Sequence, residues 1–148
     1  MTFIDRRAAR VLLIDAAERV LLLHGGDPAR ADQHWWFTPG GGLNEGETPV
    51  QGAARELREE TGLRTDPAEL GEPVHHETTE FSYDNRQYRQ EQDFFLLRVE
   101  SWQVDTAGFD ADEQRSITGN RWWSTAELDT TTEQIFPIGL ADLLRKVL

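Results

Sequence analysis

The chain of 148 residues contains no cysteine, and no apolar run approaches the length of a membrane-spanning helix. Without cysteine, the chain can form neither a disulfide framework nor a thiolate metal site. The N-terminus also lacks the apolar core of a signal peptide. These absences predict a soluble, cytoplasmic protein with no membrane partner.

Basic residues are scarce as well. The chain has 15 lysines and arginines against 27 acidic residues, which gives a formal net charge of −12. Binding to a nucleic-acid polymer needs a basic surface, so no such partner is expected. The same charge would repel a small anionic substrate, unless bound metal ions supply the positive charge at the site.

The length predicts a single domain over residues 1–148, as a monomer or a homodimer. Apolar or β-branched runs between turn residues predict strands at 11–14, 20–23, 35–38, 74–83, 86–99 and 121–123. Residues 65–73 read as a loop, and 108–120 as a polar loop with helical turns. Helices are predicted after Ser124 or Thr125 and after Pro137. The pattern alone indicates a mixed α/β fold.

The clearest predicted helix lies between Thr48 and Gly62. Thr48 is a good N-cap, Pro49 suits the first helical position, and Gln51 completes a capping box. Gly62 suits a left-handed C-cap. One stripe of the helix is predicted to face the core, and it consists of Val50, Ala53, Ala54, Leu57 and Thr61.

Three glutamates are expected to project away from that stripe. Glu56, Glu59 and Glu60 stand at i, i+3 and i+4 spacing, so they lie on one turn. Arg55 can pair with Glu59 but offsets only part of their repulsion. Carboxylate oxygens are the ligands that a hard divalent cation prefers. A solvated acidic helix face is the alternative, and the glycines on both sides of the helix favour the metal site.

A glycine-rich segment, Pro39-Gly40-Gly41-Gly42, leads towards this helix, and its backbone can approach a ligand closely. Between Gly41 and Leu63 the chain reads G-x5-E-x7-R-E-U-x-E-E-x-G-U, with U aliphatic. This pattern resembles the signature box of the Nudix hydrolases. The resemblance implies an α/β/α sandwich with a mixed central β-sheet, in which the box forms a loop–helix–loop.

The resemblance also implies an activity: metal-dependent hydrolysis of a diphosphate linkage in a nucleoside diphosphate derivative. Nucleoside triphosphates, nucleotide sugars and dinucleoside polyphosphates are candidate substrates, and Mg²⁺ or Mn²⁺ is the expected cofactor. The implied metal ligands are the Glu56, Glu59 and Glu60 carboxylates and the Gly40 carbonyl, while Glu47 bonds Arg55, which is a further active-site residue. The alternative is a catalytically silent Nudix-fold module that binds or senses a nucleotide. The intact box carboxylates favour the enzyme.

The general base is expected to be either a box glutamate or a residue of a downstream loop. Glu113, in the polar segment 108–120, is the candidate in that loop. Glu91, Asp93 and Glu127 are further alternatives.

Substrate contacts are predicted outside the box. The candidates are Arg86, Arg89 and Arg121 for phosphate and Tyr83 for the remaining moiety. Trp122 and Trp123 are neighbours on a predicted strand, so at most one of them can face a ligand. No motif identifies the substrate.

Overall fold

A computed structural model describes residues 2–148 as a curled, mixed β-sheet with helices on both faces. The strands are β1 (Ile4–Ile14), β2 (Val20–Gly26), β3 (His34–Phe37), β4 (Gly40–Gly42), β5 (His75–Tyr83), β6 (Arg86–Arg98), β7 (Ile117–Trp123) and β8 (Ile135–Phe136). The helices are α1 (Pro49–Thr61), α2 (Pro67–Leu70), α3 (Ala111–Ser116), α4 (Thr125–Thr130) and α5 (Leu140–Val147).

The strands run in the order β5-β6-β1-β2-β3-β8, with β4 paired to β1 and β7 paired to β2. Two pairs, β1 with β6 and β3 with β8, are parallel, and the other pairs are antiparallel. The next element in the chain after β4 is α1, which packs against β4 and β1.

Alternate residues of β1 supply two separate cores, as the period of a strand requires. Val11 and Leu13 pack with Leu57 of α1 on one face of the sheet. Leu12 and Ile14 belong to the cluster on the other face, which includes residues of α5. The predicted α/β/α sandwich is confirmed.

The predicted ends of α1 are also confirmed. The Thr48 side chain accepts a hydrogen bond from the Gln51 backbone, and the Gln51 side chain accepts one from the Thr48 backbone. Gly62 ends the helix with φ of 79°. On the predicted inner stripe, Leu57 and Thr61 are buried. Local signals were sufficient here because each one acts within a single turn of helix.

Several predicted boundaries were wrong. The strand predicted at 121–123 begins at Ile117, inside the segment predicted as a polar loop. The first strand begins at Ile4 rather than at residue 11, because it pairs with β6 along its whole length and so includes polar residues. The glycine segment, where no strand was predicted, contains β4, which is paired with β1. Within the predicted loop 65–73, α2 forms behind an N-cap at Asp66.

No helix in the described part of the chain is long and apolar enough to cross a membrane.

Candidate active site

Carboxylates from two helices meet beside the glycine strand. One oxygen each of Glu56, Glu59 and Glu113 lies within 4.8 Å of the other two. Glu113 comes from α3, where it forms a capping box with Asp110: the Asp110 amide donates to Glu113 Oε1 at 2.9 Å, and Asp110 Oδ1 accepts from the Glu113 amide at 2.8 Å. This short helix therefore brings the candidate base to the box glutamates.

Glycines make room for the box carboxylates. A Cβ on Gly41 would lie 2.9 Å from Glu56 Oε1, so a side chain there would displace that carboxylate. The amide of Gly40 donates to Glu60 Oε1 at 2.7 Å, and Gly40 adopts a φ of 146°. The predicted role of the Gly40 carbonyl as a metal ligand stays a prediction, because the contact seen here uses its amide. Glu60 is only 3 % exposed, so its carboxylate is held inside the molecule.

Arg55 connects the loop to the carboxylates. Its Nε and Nη2 donate to the two carboxylate oxygens of Glu47, both at 2.8 Å. Its Nη1 donates to Glu56 Oε1 at 3.0 Å and to Glu59 Oε2 at 3.3 Å. The Gly42 carbonyl accepts from Nη2 at 3.0 Å. The Glu47–Arg55 bond and the Arg55–Glu59 pair therefore form as expected, and one guanidinium fixes the position of two box glutamates.

The site holds more negative charge than its arginine offsets. Burial raises the pKa of Glu56 to about 7, and the Arg55 charge opposes that rise. Burial and then the charge of Glu56 raise the pKa of Glu60 well above its usual value. Burial also raises the pKa of Glu113. Such uncompensated carboxylates are typical of a site that takes up a cation or a proton.

The donor set fits a hard divalent cation. The grouped atoms are all carboxylate oxygens, which suit Mg²⁺ or Mn²⁺ better than soft metals. Glu56 and Glu59 of α1 would be the residues that hold the ion. Glu60 lies outside this group and accepts from the Gly40 amide, so its expected role as a metal ligand stays a prediction.

Sequence reasoning missed Arg10. Its side chain is half-buried, with Nε donating to Gln92 Oε1 at 2.9 Å and Nη1 to the Thr38 carbonyl at 3.0 Å. Burial lowers the pKa of the Arg10 guanidinium, and the charge of Glu60 is the largest effect that opposes this change. Arg10 therefore lies close enough to the box to act on its charge. An arginine at the edge of an apolar strand was the only available signal.

The arginines predicted to grip phosphate have other partners in this structure. Arg89 pairs with Glu80 at 2.9 Å, and Arg121 pairs with Glu127 of α4 at 2.6 Å. Arg86 is exposed at the end of the β5–β6 turn, opposite Tyr83. Their roles in substrate binding, and that of Tyr83, stay predictions.

The alternative bases lie in other surroundings. Asp93 contacts His76 at 2.6 Å, and Glu91 lies 3.8 Å from the same ring. Glu127 caps α4 through Ser124. Of the candidates considered, Glu113 is the one that joins Glu56 and Glu59 within 4.8 Å.

Comparison with known proteins gives the family. The chain is similar to RNA pyrophosphohydrolases: 51 % identical over 41 residues to that of Pseudoalteromonas translucida, covering 28 % of this chain and 24 % of the relative. The chain is also 33 % identical over 104 residues to the RNA pyrophosphohydrolase of Aliivibrio fischeri. This match covers 64 % of this chain and 60 % of the relative. The chain thus spans less than two thirds of these relatives.

The fold resembles that of the MutT protein from Methanosarcina mazei Go1, with a TM-score of 0.72, 18 % identity, and coverage of 99 % of this chain and 94 % of that one. A family model described as the NUDIX domain matches residues 5–144. Because this model matches most of the chain, the chain belongs to the Nudix hydrolase family.

Proposed function

We propose that this protein hydrolyses a diphosphate linkage in a nucleoside diphosphate derivative, with Mg²⁺ or Mn²⁺ as its cofactor. The observation that carries the proposal is the meeting of Glu56, Glu59 and Glu113 within 4.8 Å. A divalent ion at this position would neutralise substrate charge and acidify a water molecule. The intact carboxylates argue against the alternative, a module that binds a nucleotide without cleaving it.

The protein's own groups have separable roles in this proposal. Glu56 and Glu59 hold the ion, and Glu60, buried against the Gly40 amide, completes the negative environment. Arg55 is a positioning residue, because it contacts both Glu56 and Glu59 and is itself held by Glu47. This arrangement keeps the ligands in place before substrate arrives.

Glu113 is the proposed general base. Its Oε1 is engaged by the Asp110 amide, while its carboxylate also reaches the box glutamates. Burial raises its pKa, which brings the group nearer to neutral pH and makes it a stronger base than a fully solvated glutamate. A box glutamate as the base is the alternative.

The substrate is proposed to be a small nucleotide derivative. The net charge of −12 disfavours a nucleic-acid polymer. Two relatives are nevertheless named RNA pyrophosphohydrolases. The 5′-triphosphate end of an RNA is therefore the second candidate, since it carries the same diphosphate linkage.

The test is a turnover panel. It contains nucleoside triphosphates, nucleotide sugars, dinucleoside polyphosphates and a short RNA with a 5′-triphosphate, each assayed with Mg²⁺, Mn²⁺ or EDTA. Release of phosphate, pyrophosphate or a nucleoside monophosphate that stops in EDTA is expected. Tight binding of several compounds without any turnover would favour the sensor module instead.

A further inference from the structure

A chain of hydrogen bonds crosses the sheet next to the carboxylates. Arg10 Nε donates to Gln92 Oε1 at 2.9 Å. Gln92 Nε2 donates to Glu77 Oε2 at 3.0 Å, and Gln90 Nε2 donates to Gln92 Oε1 at 2.9 Å. Both glutamines are buried, with Gln90 1 % and Gln92 5 % exposed.

The charged ends of this chain fix the orientation of both amides. A guanidinium can only donate, so the Gln92 atom that faces Arg10 must be its oxygen. Its nitrogen then faces the Glu77 carboxylate, which accepts. Gln90 must present its nitrogen to the Gln92 oxygen, because a flipped amide would place two oxygens together. Gln90 Oε1 therefore points away from the chain.

That oxygen has no hydrogen-bond partner. Three buried side-chain atoms of residues 2–148 lack one, namely Gln90 Oε1, Thr38 Oγ1 and Trp123 Nε1. Two of them belong to residues of this hydrogen-bond chain, since the Thr38 carbonyl accepts from Arg10. A buried acceptor without a partner is unfavourable, so a donor that reached Gln90 Oε1 would be stabilised by it.

The surroundings of Gln90 suit a nucleobase. Tyr88 lies two residues away on the same face of β6 and stacks on Phe81, with ring centroids 5.3 Å apart. The Arg6 guanidinium lies 5.6 Å from the Tyr88 ring centroid. A Cβ on Gly42 would meet Arg6 Nε at 2.6 Å, so Arg6 reaches the glycine strand beside the carboxylates. An aromatic surface thus adjoins the site proposed to bind diphosphate.

We propose that Gln90 determines specificity by accepting a hydrogen bond from the exocyclic amine of the substrate's base. This inference rests on the proposed function, and it narrows the substrate class to derivatives of adenine, guanine or cytosine. Amide side chains read such base edges through paired donors and acceptors. Arg10 and Glu77 act as positioning residues, because they set which Gln90 atom is free.

The test compares nucleoside monophosphates, which have no diphosphate linkage to cleave. Each pair differs by one amine: AMP with purine riboside 5′-monophosphate, GMP with IMP, and CMP with the 2-pyrimidinone analogue. Calorimetry with Mg²⁺ is expected to give, in at least one pair, a Kd lower by about tenfold for the amine-bearing member. Gln90→Met keeps side-chain length and should bring that ratio close to one.

Gln87→Leu is the matched control, because Gln87 lies on the opposite face of β6 and should leave the ratio unchanged. A merely structural role of Gln90 would weaken both members equally and preserve the ratio. If Gln90→Met does not fold, the wild-type pairs decide alone. Equal Kd values in every pair would overturn the assignment, and a trapped water or a ribose hydroxyl at Gln90 would give that result. No binding of any monophosphate would overturn it as well.

The two proposals fail separately. Amine discrimination without turnover of any panel compound would contradict hydrolysis but not the role of Gln90. Turnover without amine discrimination would contradict the role of Gln90 but not hydrolysis.

Discussion

The carboxylate of Glu113 lies within 4.8 Å of the carboxylate of Glu56, although the two residues stand on different helices. They are far from each other in sequence, and the Asp110 capping box holds Glu113 in the first turn of α3. The same carboxylate therefore caps a helix and faces the box.

Replacing Glu113 with Gln should remove the base and keep the cap, because the amide oxygen can still accept from the Asp110 amide. We expect kcat to fall by about 10²- to 10⁴-fold with little change in Tm. Asp112→Asn is the control, since it makes the same chemical change at an exposed carboxylate of α3 and should leave kcat unaltered. Near-normal turnover in Glu113→Gln would assign the base to a box glutamate.

Arg55→Lys should weaken metal binding, because a single ammonium cannot contact Glu47, Glu56 and Glu59 in the planar arrangement of a guanidinium. The loss of a residue that orients ligands is expected to raise the Kd for Mn²⁺ by about 10- to 100-fold. Arg58 is an exposed residue of the same helix, so Arg58→Lys should leave the Kd for Mn²⁺ unaltered. Equal Mn²⁺ affinities in the two variants would show that Arg55 does not position the ligands.

Gly41→Ala should displace Glu56, because the new Cβ would lie 2.9 Å from its Oε1. A shift of about 1 Å at a reacting centre can lower the rate by about 10²-fold, so a loss of that size is expected in kcat. Gly119→Ala makes only an ordinary contact, 3.8 Å from His24 Cβ, and serves as the control. If kcat in Gly41→Ala matched that control, the tight fit around Glu56 would be irrelevant to turnover.

Sequence alone predicted the box helix, its caps and its inner stripe, because these depend on residues within one or two turns. It could not place Gln90 or Arg10, because their roles depend on the parallel pairing of β1 with β6, which joins distant segments. The early part of β1 was missed for the same reason: its polar residues carry no strand pattern until that partner is known.

Metal-free protein should lose stability as pH rises through the range of the Glu56 titration. Folding raises the pKa of Glu56 from about 4.5 to about 7, so the unfolded chain releases this proton first. The free energy of unfolding should therefore fall between about pH 4.5 and 7, and the raised pKa of Glu60 acts in the same direction. Urea titrations in EDTA at several pH values measure this free energy of unfolding.

Glu56→Gln is the control for that titration. It removes the titrating carboxyl of Glu56, so the free energy of unfolding should fall less steeply with pH. Mg²⁺ favours the ionised carboxylate, so its stabilising effect should be larger at pH 8 than at pH 5. If the free energy of unfolding changed with pH equally in wild type and in Glu56→Gln, the raised pKa of Glu56 would be contradicted.

The most direct test of the central claim is a Mn²⁺ titration followed by electron paramagnetic resonance. Wild type should bind Mn²⁺, and Glu59→Gln should raise its Kd by about tenfold or more while the fold is retained. Glu72→Gln makes the same chemical change at an exposed site and should bind as wild type does. Unchanged affinity in Glu59→Gln, or no binding by wild type, would contradict a metal site formed by the box glutamates.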